Sequence, residues 1–310
     1  MQPPPPVAML SARFGSPEAT AVSLRYQIEH VSRYRYASRA NACVMSLRLR
    51  PLEDRRQRLL AFAIETDPPT DLGCTRDGFG NAHHLLALRR EHDALTITAR
   101  AAVEVHPADP LAARLTPDDW TVARSWTDRF EHWEFTHASA LAKRTPALDA
   151  FVEELGLAPL EDPLSSVAAL SDALHAAFTY APGETTAESP IDHILASRRG
   201  VCQDYAHVMI AIARSWAIPA RYVSGYLHVT GDDRAPVPGN AMHAWVECLL
   251  PRLGWIGFDP TNRIPTDRHI RVAVGRDYRD VSPTRGVRQG GDAEELAVDV
   301  SVRADASPAG

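Results

Sequence analysis

The sequence predicts an α+β protein, with an N-terminal β-sandwich-like domain followed by a domain that mixes helices and strands around a thiol. Three observations carry this reading. A period-two alternation of apolar and polar residues fills the region after a Pro-rich start. Helical spacing replaces it from about residue 120. A cysteine, a histidine and an aspartate then fall, in that order, where a helix and two strands begin or end.

Composition narrows the function classes. Of 310 residues 45% are hydrophobic and 23% charged, the balance of a globular chain with a core. The formal charge is −6, from 33 Lys and Arg against 39 Asp and Glu, with no basic stripe to track phosphates. Nucleic acid is therefore not an expected partner. No run of about 18 apolar residues and no secretory h-region occur, so neither a membrane partner nor export is expected and the reading is cytoplasmic. Cys43, Cys74, Cys202 and Cys248 have no paired spacing and read as free thiols.

Residues 1–20 are rich in Pro, Ser and Ala and read as disordered. Residues 21–110 form the β domain. "SLRYQIEH" alternates Leu24, Tyr26 and Ile28 with Arg25, Gln27 and Glu29, and "VMSLRLRP", "LLAFAIETDPP" and "ALTITARAAVEV" continue in that style. "TRDGFGNAHHLLAL" carries a D-G turn signal between strand-like flanks. Residues 120–284 form the second domain. Its helical stretches break at Pro146, Pro159 and Pro163, and "DPLSSVAALSDALHAAF" reads as a helix capped by Ser165 or Ser166. After the loop "APGETTAESP" and the short "IDHILASRRG", a helix starts at Cys202, with apolar Ala206, Met209, Ile210 and Ala213 on one face, and Pro219 stops it. "ARYVSGYLHV", "HAWVECLL" and "WIGFDP" read as strands, with the loop "TGDDRAPVPGNAM" between the first two, and "HIRVAVGRDYRDVSP" reads as a further strand and loop. Residues 285–310 read as a polar tail holding one candidate edge strand, "LAVDVSVR".

Cys202 sits behind Gly200 in the first helical turn, where the dipole and free N–H groups favour a thiolate. A lone cysteine is more often a small buried hydrophobe, and position alone does not overturn that. His243 opens "HAWVECLL", where alternation puts His243, Trp245 and Glu247 on one face and Ala244, Val246 and Cys248 on the other, apolar face. Asp259 ends the strand "WIGFDP", placed to accept a hydrogen bond from the imidazole and fix its tautomer. Singly, each is an ordinary residue. In the order Cys, His, Asp on a helix start and successive strands they form a candidate triad for nucleophilic catalysis. No C-x-x-C, H-x-x-x-H or H-E-x-x-H spacing supports a metal, and no phosphate-cradling loop supports a nucleotide.

The segments "GVCQDYAHVMIAIARSWAIPARYVSGY", "NAMHAWVECLLPRLGWIGFDPTN" and "HIRVAVGRDYRDVSP" resemble the bacterial transglutaminase-like superfamily. "YQIEHVSRYRYASRANACVMSLRLRPLE" through "DGFGNAHHLLAL" resembles the β-rich domain that often precedes that core, so the resemblance spans about Val22 to Pro283. It implies a papain-like, transglutaminase-type cysteine domain with Cys202 as nucleophile, His243 as general base and acid, and Asp259 as orienting acid. Many relatives have Arg after the cysteine, where this chain has Gln203. The reaction needs an oxyanion donor besides the Cys202 N–H, and Tyr180, ending "HAAFTY", is the candidate, against the alternative of a helix-end Tyr with its hydroxyl in water. Asp204 reads as a helix-start acid and His207 as a packed residue. The resemblance implies no cofactor, a protein or peptide substrate, and peptidase or amidase chemistry. The alternatives are amine acyl transfer and a non-catalytic binding module, and intact Cys, His and Asp argue against the last.

Overall fold

The computed structural model describes residues 23–107, 113–229 and 242–305. The expectations for residues 1–20 and for most of the loop "TGDDRAPVPGNAM" lie outside them.

The first domain opens with strands β1 (Leu24–Leu47), β2 (Gln57–Asp67), β3 (Leu72–Arg76), β4 (Ala82–Leu88) and β5 (His92–Val105). β1 runs 24 residues where the alternation suggested two separate strands. Its first half pairs with β5 and its second with β4, and the register slips between Arg35 and Ala40. A slip of that kind is a bulge, which bends a strand and sharpens its twist. The two layers expected of a sandwich are thus one antiparallel sheet folded across its longest strand, a half-barrel. Tyr34, Leu95 and Ile97 from one half meet Met45, Leu47 and Leu86 from the other in a shared core. The D-G turn lies where expected, between β3 and β4, with Asp77 Oδ1 accepting from the N–H groups of Phe79 and Asn81.

The second domain runs through α1 (Asp119–Arg124), α2 (Trp133–Thr136), α3 (Pro146–Glu154), α4 (Pro163–Ala177), β6 (Thr179–Tyr180), α5 (Ile191–Ser197), β7 (Arg199–Gly200), α6 (Cys202–Ser215), β8 (Ala220–Leu227), β9 (His243–Leu250), β10 (Gly254–Phe258), β11 (His269–Gly275) and α7 (Tyr278–Val281). Pro146 and Pro163 each occupy a first helical turn, where the missing N–H costs nothing, so they start helices. The α4 cap is Asp162, which accepts from the Ser165 N–H, in place of the expected Ser165 or Ser166. β8, β9, β10 and β11 form an antiparallel sheet in the order β10-β9-β8-β11. α6 is buried from Gln203 to Arg214 and shares a core with Ala244, Val246 and Cys248, the apolar face assigned to β9. A helix covered all round is the centre of its domain. No helix among the described residues is long and apolar enough to cross a membrane.

The chain then returns to the first domain. β12 (Thr284–Gly290) and β13 (Glu294–Ala304), where a tail with one edge strand was expected, both pair antiparallel with β1, β12 on its second half and β13 on its first.

The two domains share a core in which Tyr26, Ile28 and Val103 pack on Tyr226, Ile270 and Val272. Two buried amides seal the outer edge of β11. Gln57 donates to the Arg271 carbonyl at 2.8 Å and accepts from the Arg271 N–H at 2.8 Å. Asn81 does the same to Val274, at 2.8 Å in both directions. A sheet edge otherwise presents unpaired backbone groups, which are costly when buried.

Candidate active site

Cys202 is the first residue of α6, behind the extended N-cap Val201. The Asp204 carboxylate reaches back to accept from the Val201 N–H at 2.8 Å and from the Thr185 hydroxyl at 2.6 Å, so it serves the helix start as expected. Gly200 makes room for it: a Cβ there would lie 2.7 Å from Asp204 Oδ2 and 2.8 Å from Ile194. The Gln203 amide donates to the Ala187 carbonyl at 3.0 Å and pins the loop that precedes α5. Cys202 itself is half-buried, and its backbone N–H has no acceptor among the described residues.

Tyr180 lies beside this helix start because β6 pairs in parallel with β7, setting Tyr180 against Gly200. Its hydroxyl makes no hydrogen bond among the described residues. Burial and then the nearby Cys202 push the phenol up to about 12, so it stays protonated and able to donate.

His243 begins β9 and Asp259 follows β10, the strand paired to it. The carboxylate accepts from His243 Nε2 at 2.8 Å, and both side chains are fully buried. Its Oδ2 also accepts from His269 Nε2 at 2.9 Å and Asn262 Nδ2 at 2.8 Å. Its Oδ1 accepts from the N–H groups of Thr261 at 3.0 Å and Asn262 at 3.1 Å. Burial pushes Asp259 up, but the two imidazoles outweigh it and hold the carboxyl well below the ordinary carboxylate range. Burial likewise pushes His243 down, while Asp259 and then Cys202 lift it to about 10. With Nε2 engaged by Asp259, Nδ1 is the nitrogen left for the thiol, and among the described residues it has no hydrogen-bond partner.

The structure thus brings Cys202, His243 and Asp259 together and sets Tyr180 beside the thiol. His207 is fully buried and accepts from the Tyr278 N–H at 3.2 Å, a packed residue as expected. Sequence reasoning missed His269 and Asn262. The first had a signal, because "HIRVAVG" opens on a histidine as "HAWVECLL" does, and both strands flank β8. His243, Asp259 and His269 also form a group of metal-compatible donors, their ligand atoms within 4.8 Å of one another. Those atoms face each other at hydrogen-bond distances, and the Asn262 amide donates into the same carboxylate oxygen. A cation at this place would have to displace two imidazole protons and that amide.

A thiol at a helix start, with an imidazole and a carboxylate on two paired strands behind it, defines a transglutaminase-like core, here joined to a β-rich N-terminal domain. The chain belongs to the transglutaminase-like superfamily: residues 150–260 match it, and residues 26–104 match the bacterial transglutaminase-like N-terminal region. An uncharacterised protein of Mycobacterium leprae is 34% identical over 283 residues, covering 90% of this chain and 98% of its own. An uncharacterised Mycobacterium tuberculosis protein is 34% identical over 292 residues, covering 90% and 91%. A protein-glutamine gamma-glutamyltransferase of Pseudomonas aeruginosa is 35% identical over 133 residues, 40% of this chain and 19% of its own. In fold, a Cytophaga hutchinsonii structure solved as a candidate cysteine protease superposes with a TM-score of 0.71 at 20% identity, covering 92% of this chain and 93% of that one.

Proposed function

We propose that the protein is a thiol-dependent acyl enzyme that cleaves peptide or carboxamide bonds through a thioester on Cys202. The observation that carries this reading is the state of His243. Its Nε2 donates at 2.8 Å to a fully buried carboxylate, which favours the protonated ring, and its Nδ1 is left to Cys202.

In the first half-reaction the Cys202 thiolate attacks the carbonyl carbon and forms a C–S bond. The carbonyl electron pair moves to oxygen, stabilised by the Cys202 N–H and the Tyr180 hydroxyl. Collapse breaks the C–N bond, and the His243 proton passes to the departing amine. In the second, water attacks the thioester, His243 accepts the proton, and the C–S bond breaks to release acid and thiolate. Asp259 keeps its charge throughout, opposite the imidazolium.

A second reading, in which an amine replaces water in the second step, is favoured by the similarity over 133 residues to the Pseudomonas gamma-glutamyltransferase. One experiment addresses both. Wild type and Cys202→Ala are mixed with Gln- and Asn-bearing peptides in ¹⁸O-water, with a labelled primary amine present or omitted, then acid-quenched for intact mass. An acyl adduct on wild type alone supports the thioester. Labelled oxygen in the product then marks hydrolysis, and incorporated amine marks transfer. No adduct and no product, from protein whose Cys202 still reacts with iodoacetamide, would remove the reading in favour of a binding module.

A further inference from the structure

We propose that His269 is a positioning residue of the candidate triad: its imidazole is a second donor that fixes the Asp259 carboxylate in the orientation His243 requires. This rests on the triad reading above. Asp259 is buried beside three side-chain donors, and Oδ2 alone receives all three. The Thr261 and Asn262 N–H groups hold Oδ1, so without His269 the remaining freedom is a turn of Oδ2 toward the Asn262 amide, whose nitrogen lies 3.2 Å from His243 Nε2. The third donor holds the carboxylate between two imidazoles.

The placement of His269 is built in from several sides. It opens β11 and pairs with Leu227 of β8, so its register is set by the sheet. The Trp245 ring meets it edge to face at 4.8 Å. Gln57 of the first domain grips the backbone of Arg271 two residues on, and Leu52 N–H donates to the Arg271 carbonyl at 3.0 Å.

Its charge state suits the role. Burial drives His269 down and outweighs the opposing pull of Asp259, so the ring donates without bringing a positive charge. The full carboxylate charge remains for His243. The charged and titratable groups facing these rings are Cys202 from α6, Asp259, His243 and Glu247 from β9, Asp267, Arg271 from β11, and Arg56 and His106 of the first domain. The last two line, with His269, a cavity of about 40 Å³ between the domains.

The test is a histidine-ring NMR titration of His243, assigned by His243→Gln, in wild type, His269→Gln and His269→Phe. It needs no acyl substrate. Wild type is expected to titrate near the value of about 10. His269→Phe should lower that midpoint by about one pH unit, since a carboxylate that loses a fixing donor supports the imidazolium less well. His269→Gln, whose amide nitrogen reaches the Nε2 position, should hold it near wild type even where melting temperature falls. An unmoved midpoint in folded His269→Phe overturns the proposal. If His269→Phe does not fold, His269→Leu takes its place as the variant without a donor and is read in the same way. A wild-type His243 that titrates near 6.5 sinks the triad reading itself, and this proposal with it.

Discussion

Replacing Gln57 by leucine would leave the half-barrel its apolar volume while removing one of its two grips on β11. The Gln57 side chain is 1% exposed and makes three hydrogen bonds, to the carbonyls of Leu52 (2.7 Å) and Arg271 (2.8 Å) and from the Arg271 N–H (2.8 Å). The Arg271 carbonyl would keep the Leu52 N–H as a donor. The Leu52 carbonyl and the Arg271 N–H would lose the partner that Gln57 provides. Each buried group left unpaired costs about 1–3 kcal/mol. Taking about 2 for the buried Arg271 N–H and about 1 for the half-buried Leu52 carbonyl, and crediting about 1 for the added apolar burial of leucine, gives a loss of about 2 kcal/mol. Urea unfolding followed by tryptophan fluorescence reads this as a lower midpoint at unchanged slope. Gln289→Leu, at an exposed position of β12, is the control. A Gln57→Leu loss below about 0.5 kcal/mol, the range of ordinary surface changes, would refute the claim that the amide closes the sheet edge.

Other expectations are as direct. Cys202→Ser should abolish acyl-adduct formation and leave the thermal midpoint in place, because the sulfur is only half-buried; a large fall in melting temperature would mean the thiol is a packing residue. The extra proton of His243 stabilises the fold fully below the unfolded value near 6.5. That contribution is lost as pH rises through about 10, so wild type should lose stability between those values and His243→Gln should not. Parallel urea curves for the two proteins would contradict it. Asp259 acts at the other end, its contribution present above the unfolded value near 3.9 and lost as pH falls through the depressed folded one. Gly225→Ala would set a Cβ 2.1 Å from the Ile270 carbonyl oxygen and 2.6 Å from Trp245, prising β8 from β11. The expected loss is about 3 kcal/mol by urea unfolding, and a neutral result would mean that the two strands are less tightly set than those distances require.

Much of the site was legible because its signals are local. "HAWVECLL" alternates strictly and became β9 residue for residue, and the apolar spacing after Cys202 fixed the start of α6. Asp259 was readable from the proline that ends its strand. What the sequence concealed depends on distant residues. His269 acquires meaning only when β11 lies across β8 from β9. β12 read as part of a polar tail because its one large apolar residue, Val287, stays 75% exposed, whereas the alternation of "LAVDVSVR" did mark β13 as an edge strand, and its Val300 joins the core between the domains. The continuity of β1 was hidden at the polar stretch around Ser38 to Asn41, where the bulge lies. The α4 cap was missed for a local reason: the prolines there were read as breaks, when Pro163 is the first helical residue behind Asp162.

The return of β12 and β13 to β1 sets an order of events during synthesis. β1 leaves the ribosome well before the strands that cover one of its flanks, since Thr284 of β12 follows Leu47 by 237 residues. At about 5–20 residues per second that delay is on the order of half a minute. Meanwhile α6 and the sheet behind it emerge in one continuous run. The thiol domain can therefore begin to assemble while the half-barrel still waits for its closing strands, and a nascent chain stalled before Thr284 would hold β1 with one side open to any other strand that meets it.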